Sequence, residues 1–355
     1  MAYTTINKSS LNMNTKLYTG NGGSNRGITG INFKPDWVWL KTRNKENSHI
    51  LIDSVRGQKR LRSNTTGAEA DVSSEFISFD TDGFTVTEGG ANEMNNNSTT
   101  YVSWNWKAGT SFTNDASGTG IGSIDSAGSV NNTAGFSIVS WTGTGSAGTI
   151  KHGLSTVPKM IIIKNRTDAI NWIVYHNKIG NTGAVFLDVT NGTDSGAAYF
   201  NNTSPTNSVF SVGNYNGSNG SNDNMIAYCF AEKQGYSKFG SYVGNGNADG
   251  TFIYTGMRPS FVMVKRTNGT NSWYIYDAKR DGQNRGTGQT GGNRSIRPDT
   301  SEAEEQASGY PMDILSNGFK WRGASNQQNG SGDTYIFMAF GQSLVGTNNV
   351  PCTAR

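Results

Sequence analysis

The segment KPDWVWLKTRN, residues 34–44, decides how this chain is built, because it recurs as VPKMIIIKNRT at 157–167 and as RPSFVMVKRTN at 258–268. The three copies align without a gap on Pro35, Pro158 and Pro259, at offsets of 123 and 101 residues. Lys41, Lys164 and Lys265, which close each run, keep the same offsets. Two tryptophans on alternate positions of an exposed strand would make a stacking platform for a sugar or a base. Here Trp37 aligns with Met160 and Phe261, and Trp39 with Ile162 and Met263, so the bulk is retained and the indole is not. Trp37 and Trp39 therefore read as core of the first repeat rather than as ligand contacts.

The register holds outward from this segment. HILIDSVRG (His49 to Gly57) meets WIVYHNKIG (Trp172 to Gly180) and WYIYDAKRD (Trp273 to Asp281), while YTGNG, WTGTG and YVGNG precede at Tyr18, Trp141 and Tyr242. A closing strand recurs as YVSWNWKAG from Tyr101, MIAYCFAEK from Met225 and YIFMAFGQS from Tyr335, at offsets of 124 and 110 residues. The changed offsets place insertions in the loop before that last strand, where length is least constrained. The runs WVWLK, MIIIK and FVMVK are apolar at nearly every position, which predicts strands covered on both faces. YVSWNWK alternates instead, so Trp104 and Trp106 are predicted to face the core, and Ser103, Asn105 and Lys107 to face water. DTDGF around Gly83 and SNGF around Gly318 predict tight hairpins. DTDGFT also imitates the start of a calcium loop, but Ala91 stands where that loop needs its bidentate acid.

These spacings predict an all-β chain of tandem antiparallel β-sandwich modules, lectin- or jelly-roll-like, built from three related repeats. The division is an N-terminal arm (1–16), repeat one (17–108), a Gly/Ser-rich linker (109–132), repeat two (133–233), repeat three (234–342) and a C-terminal tail (343–355). No comparable linker separates repeats two and three, which predicts that they form a closely joined pair.

Composition narrows the function. Only 34% of the 355 residues are hydrophobic and 46 are Gly, yet 11% are aromatic, enough buried area to set disorder aside. A net charge of +4 with 16% charged residues carries no tract suited to nucleic acid. Cys229 and Cys352 share no metal-ligand spacing, and no apolar run approaches the roughly 20 residues of a membrane span. The opening MAYTTINKSS lacks the layout of a signal peptide. His49, His152 and His176 occupy positions where the other repeats carry no histidine, which marks them as structural. No nucleophile motif or marked carboxylate pair stands out, so the reading is a non-enzyme that needs no cofactor and no metal. Two basic loops remain as candidate surface contacts for phosphate or carboxylate groups: Arg56, Lys59, Arg60 and Arg62, and in the third repeat Lys279, Arg280, Arg285, Arg294 and Arg297. The plain alternative is two solvated loops. Repeat two keeps only Lys178 there.

Long ordered blocks carry a resemblance: PDWVWLKTRN, LIDSVRG, SNTTGAEA, FDTDGFTV and YVSWNWKAG, then NTAGFSIVSWTGTG, HGLSTVPKMIIIK and the run from YCFAEKQGYSKFG to RPSFVMVKRT. From about Leu17 to about Gly341 the chain resembles the Gly/Asn/Ser/Thr-rich β-repeat proteins of tailed phages infecting marine bacteria, which are tail-fibre-like or of unknown function. The resemblance implies lectin-like modules in a virion structural protein at the particle surface, as a tail fibre, an appendage or a capsid decoration. It implies partners among other virion proteins, a homo-oligomer or symmetric array, and host-surface glycan adhesion, and with the missing signal-peptide layout the expectation is a virion protein made in the host cytoplasm. It supplies no ligand residues. A soluble carbohydrate-binding module is the alternative, and a glycan-degrading enzyme with its carboxylates on loops comes third.

Overall fold

The computed structural model of the protein describes residues 3–89, 94–281, 284, 294–306, 311–345 and 352. They form an all-β fold of several antiparallel sheets in sandwich-like layers. The first central sheet contains β1 (Met13–Thr19), β2 (Trp37–Thr42), β3 (Ile50–Asp53) and β4 (Thr100–Trp106), in the order β1-β4-β2-β3. The second contains β5 (Thr110–Asn114), β6 (Ser126–Asn131), β7 (Phe136–Thr142), β8 (Met160–Asn165), β9 (Ile173–His176), β10 (Gly183–Phe186), β11 (Asp194–Ser195) and β12 (Asn224–Phe230). Its order is β5-β6-β7-β12-β8-β9-β10-β11. The third contains β13 (Ser237–Val243), β14 (Met257–Arg266), β15 (Tyr274–Asp277) and β16 (Thr334–Ser343), in the order β13-β16-β14-β15. The order β1-β4-β2-β3 thus reappears as β7-β12-β8-β9 and as β13-β16-β14-β15. A smaller sheet backs each: Arg26–Thr29 with Gly83–Val86 and Phe76–Asp80, then Gly148–Lys151 with Val209–Val212, then Phe252–Tyr254 with Gly318–Trp321 and Met312–Leu315.

The apolar runs are buried on both faces, each against a different neighbour. In β2, Val38 and Leu40 pack on Ile28, Phe84 and Val86 of the backing sheet. Trp37 and Trp39 point the other way, into a cluster shared with the inner faces of the second and third sheets. This corrects their expected place. They are core of the whole molecule, not of the first sandwich. Trp37 stacks on Tyr228 of the second sheet with ring centroids 4.3 Å apart, and Trp106 meets Phe261 and Phe340 of the third edge-on at 5.6 and 5.8 Å. Large rings held within such distances gain from both burial and ring geometry. The first sheet packs against both the second and the third, so all three share one core.

Two further expectations are overturned. Residues 109–132 are not a linker: β6 adds to the free side of β7, and β5 adds to β6. The small residues there serve close approach, since a Cβ on Gly128 would stand 2.0 Å from the carbonyl oxygen of Ile138. Ser103 and Asn105 do not face water but are fully buried. Asn105 Nδ2 donates to Asn14 O at 3.0 Å and to Ser103 Oγ at 3.0 Å, which replaces the lost solvent.

The recurring lysines have a structural use. Lys41, Lys164 and Lys265 are buried, and their ammonium groups donate to backbone carbonyls of the turn that follows the strand: Thr42 and Lys45, Asn165 and Asp168, and Asn271 respectively. Burial pulls each of them down to about 8. The two expected hairpins form at Asp80–Gly83 and Leu315–Gly318. In both, glycine is required because a Cβ would lie about 2 Å from a carbonyl of the next strand, 1.9 Å from Ile28 and 2.1 Å from Ile253.

Candidate functional site

The basic loops were expected at the surface, yet their central arginines lie in the seams between sheets. Arg56 and Arg280 have fully buried side chains. Each Nε donates to the carboxylate three residues earlier, Asp53 at 2.6 Å and Asp277. Neighbouring sheets complete each pair. Tyr228 donates its hydroxyl to Asp53 Oδ2 at 2.8 Å, and Trp104 donates its indole N–H to Asp277 Oδ2 at 3.0 Å. As surface contacts Arg56 and Arg280 are therefore excluded: a guanidinium with its carboxylate inside the protein has no face left for an external anion. At the corresponding seam between the second and third sheets, His176 takes the aspartate's place and bonds through Nε2 to Phe337 O at 3.2 Å. There the residue aligned with Trp104 and Tyr228 is Met338, which has no proton to donate.

Two glutamates not singled out from the sequence anchor the same seams. Glu69 binds Arg166 of the second sheet through both carboxylate oxygens, at 2.8 and 2.9 Å, and Arg56 and Lys59 lie 3.7 and 3.4 Å away. Glu304 binds Arg43 of the first sheet at 2.8 and 3.0 Å, Arg294 at 2.6 Å and Arg280 at 3.4 Å. Burial pushes both carboxyls up, but the arginines outweigh it and hold them below the usual carboxylate range. A backbone bond accompanies each, Glu69 N to Arg166 O and Glu304 N to Arg43 O, and Thr193 N to Thr267 O repeats it at the third seam. The signal was present: seven residues separate Arg62 from Glu69 and Arg297 from Glu304.

The other candidates scatter. Arg297 binds Glu302 and Glu305 and lies over the Tyr274 ring. Arg60 and Arg62 are half-buried, Lys59 is half-exposed beside Glu69, and Lys279 is exposed. Arg285 lies outside the described residues. The structure brings Arg280 and Arg294 together on Glu304, and the described residues of the two loops form no anion cradle.

All three histidines are buried with defined tautomers. Trp39 Nε1 donates to His49 Nδ1 at 2.8 Å, so the proton on Nε2 goes to Arg297 O at 3.0 Å. His49 stands where Trp172 and Trp273 send their indole N–H to Arg62 O and Phe186 O of the preceding repeats. Burial lowers His49 well below the ordinary histidine range, and His152 and His176 to about 4.

Two open grooves lie beside the seams. One groove of about 420 Å³ runs between Lys159, Asn177 and Lys178 of the second sheet and Lys238 and Ser241 of the third, with Phe252 and Tyr254 on its wall. Phe252 and Tyr254 are 44% and 57% exposed, unusual for aromatic side chains in so well packed a chain. A second groove, of about 440 Å³, runs between Ser260, Ala278 and Lys279 of the third sheet and Met13 to Thr15 of the first, closed by Lys8 and Arg258. Both are polar clefts with cationic rims. Among the described residues, no group of three or more His, Cys, Asp or Glu side chains is placed to hold a metal ion.

A family model for a domain of unknown function, DUF7483, matches residues 8–343, which span all three central sheets. The chain belongs to the DUF7483 family. No curated protein matches it. The match begins before β1 and ends at the last residue of β16, so in this DUF7483 chain the shared core and its seams lie inside a single family unit.

Proposed function

We propose that this DUF7483 protein is a structural component of a bacteriophage particle, displayed on its surface as a tail appendage or capsid decoration, and built from three copies of a lectin-like sandwich module. It acts through contacts with other virion proteins and through host-surface adhesion. The observation that carries the reading is the seam design. Three sheets surround one aromatic core, with buried ion pairs at two of their three seams, and the variable loops and grooves face outward. The resemblance of the long sequence blocks to phage β-repeat proteins supports the same reading. Copies arrayed on one particle would turn weak single contacts into firm attachment.

The test is to locate the chain on purified particles by cryo-electron microscopy with antibody labelling. Many symmetric copies are expected, and absence from the particle overturns the proposal. A second reading, a soluble carbohydrate-binding module, is favoured by exposed Phe252 and Tyr254 beside a polar groove. A glycan array with the wild type and with Phe252→Ala/Tyr254→Ala separates the two, since only the second reading requires binding that the double variant loses.

A further inference from the structure

We infer that the two grooves beside the seams are strand-addition sites, at β13 and β1, for an extended segment of a partner polypeptide made of small residues including glycine and flanked by carboxylates. The inference rests on the geometry of the sheet edges and holds whether or not the chain belongs to a virion.

The molecule itself contains the occupied form. In the aligned order, β1, β7 and β13 hold the same place, each bonded on one side to the closing strand of its sheet: β4, β12 or β16. In an antiparallel pair, alternate residues turn both N–H and C=O away from the partner. The bonds Gly20 N to Thr99 O, Gly143 N to Asp223 O and Gly244 N to Asp333 O set the parity of the three strands. By that parity the outward positions include Thr15, Leu17 and Thr19 in β1, Ile138 and Ser140 in β7, and Ser237, Phe239 and Ser241 in β13. On β7 they are taken by β6, which pairs Ser129 with Ile138 and Ala127 with Ser140. On the other two strands the ends are capped, Ser237 N by Lys233 O at 2.9 Å and Thr19 O by the Arg26 guanidinium, and Phe239 N–H meets Glu232 Oε2 at 3.3 Å; among the described residues, no hydrogen bond reaches the backbone of Thr15, Leu17 or Ser241 from outside the sheet.

The grooves sit beside these open edges. Lys159 and Ser260 line them at the positions that Asp36 holds in the first sheet. At the occupied seam, Asp36 Oδ2 accepts from Ala108 N at 2.9 Å, and Gly109 N bonds Ser129 Oγ at 3.0 Å, so the chain's own crossing fills the equivalent space. The occupying strand there is SAGSVN, residues 126–131, preceded by Asp125. Around the open grooves the charge is reversed. Lys159, Lys178 and Lys238 line one and Lys8, Arg258 and Lys279 the other, against a single acid, Glu232, already paired with Lys238. A strand with acidic flanks meets both the ladder and the rim.

The test titrates the full-length chain with a synthetic peptide of residues 124–133, followed by anisotropy and by amide shifts. Saturable binding at two sites is expected, weakened when valine replaces the glycine of the peptide. Leu17→Pro or Ser241→Pro, each removing an outward N–H that the sheet itself does not use, should leave one site, and both together none. Lys178→Glu and Lys279→Glu, at exposed positions, should weaken binding without touching the backbone, which guards against a proline variant that fails to fold. No saturation at millimolar peptide, or binding indifferent to both classes of variant, overturns the inference. Self-association of the chain that the prolines abolish also overturns it, because the occupant is then a second copy.

Discussion

Trp104 on the first sheet donates its indole N–H to Asp277 on the third, 3.0 Å away, and the guanidinium of Arg280 lies 5.4 Å from the centroid of the same ring. One aromatic side chain thereby joins the central core to a buried ion pair. Tyr228 plays the same part for Asp53 and Arg56 at the next seam, through a hydroxyl in place of an indole.

Removing one member of such a pair should be costly. Asp277→Ala leaves Arg280 charged and buried, and is expected to cost about 3–5 kcal/mol in a urea unfolding experiment. Asp277→Leu with Arg280→Met should recover most of that loss, because an apolar pair of similar volume needs no desolvation. A double variant as unstable as the single one would show that the packing, and not the orphaned charge, is at fault.

The tryptophans of the core should differ in what they lose. Trp37 and Trp104 are equally buried, but Trp37 Nε1 has no hydrogen-bond partner among the described residues and Trp104 Nε1 has Asp277. Trp104→Phe should therefore cost about 1 kcal/mol more than Trp37→Phe at the denaturation midpoint. Trp37→Ala, which empties the centre of the molecule, should cost about 3–5 kcal/mol.

Two nearby glutamates make a contrast of burial. The Glu304 side chain is 3% exposed and meets three arginines, while that of Glu302 is 56% exposed and meets one, Arg297. Glu302→Gln should change stability by less than about 0.5 kcal/mol. Glu304→Gln should cost about 2–4 kcal/mol and loosen the seam to the first sheet, read as faster amide exchange around Arg43.

Acid should weaken the fold before the carboxylates protonate. His152 and His176 are lowered to about 4 in the folded chain, below the 6.5 of an unfolded histidine. Between those values the unfolded state binds more protons, so the stability present above pH 6.5 is lost as pH falls toward 4. The slope is about 1.4 kcal/mol per pH unit for each histidine. Urea midpoints from pH 7 to pH 4.5 should fall accordingly, and His176→Gln should flatten the curve. The contribution of Glu69 and Glu304 is lost only at lower pH, through their depressed folded values.

Much of this was legible in the chain. The three aligned prolines, the lysine six residues on and the closing strand marked the recurring strands along the chain, because strand spacing is set locally by hydrophobic pattern and turn chemistry; their order within each central sheet came only with the structure. The match of His176 to Asp53 and Asp277 was visible too, but not its meaning. That depends on whether the facing residue of another sheet, Met338, Tyr228 or Trp104, has a proton to donate. Residues 109–132 misled for a related reason: small polar residues suit a flexible linker and a strand pressed against a neighbouring backbone equally well.

Sequence alone determined the all-β class, the threefold recurrence of the strands and the burial of Trp37 and Trp39, since period, turn residues and bulk are properties of neighbouring residues. Tertiary structure decided that the tryptophans belong to one core shared by three sheets, that Arg56 and Arg280 are internal, and that two strand edges stay open where the third is filled. Each of these turns on which side chain stands opposite across more than a hundred residues of chain, a relation that no local pattern encodes.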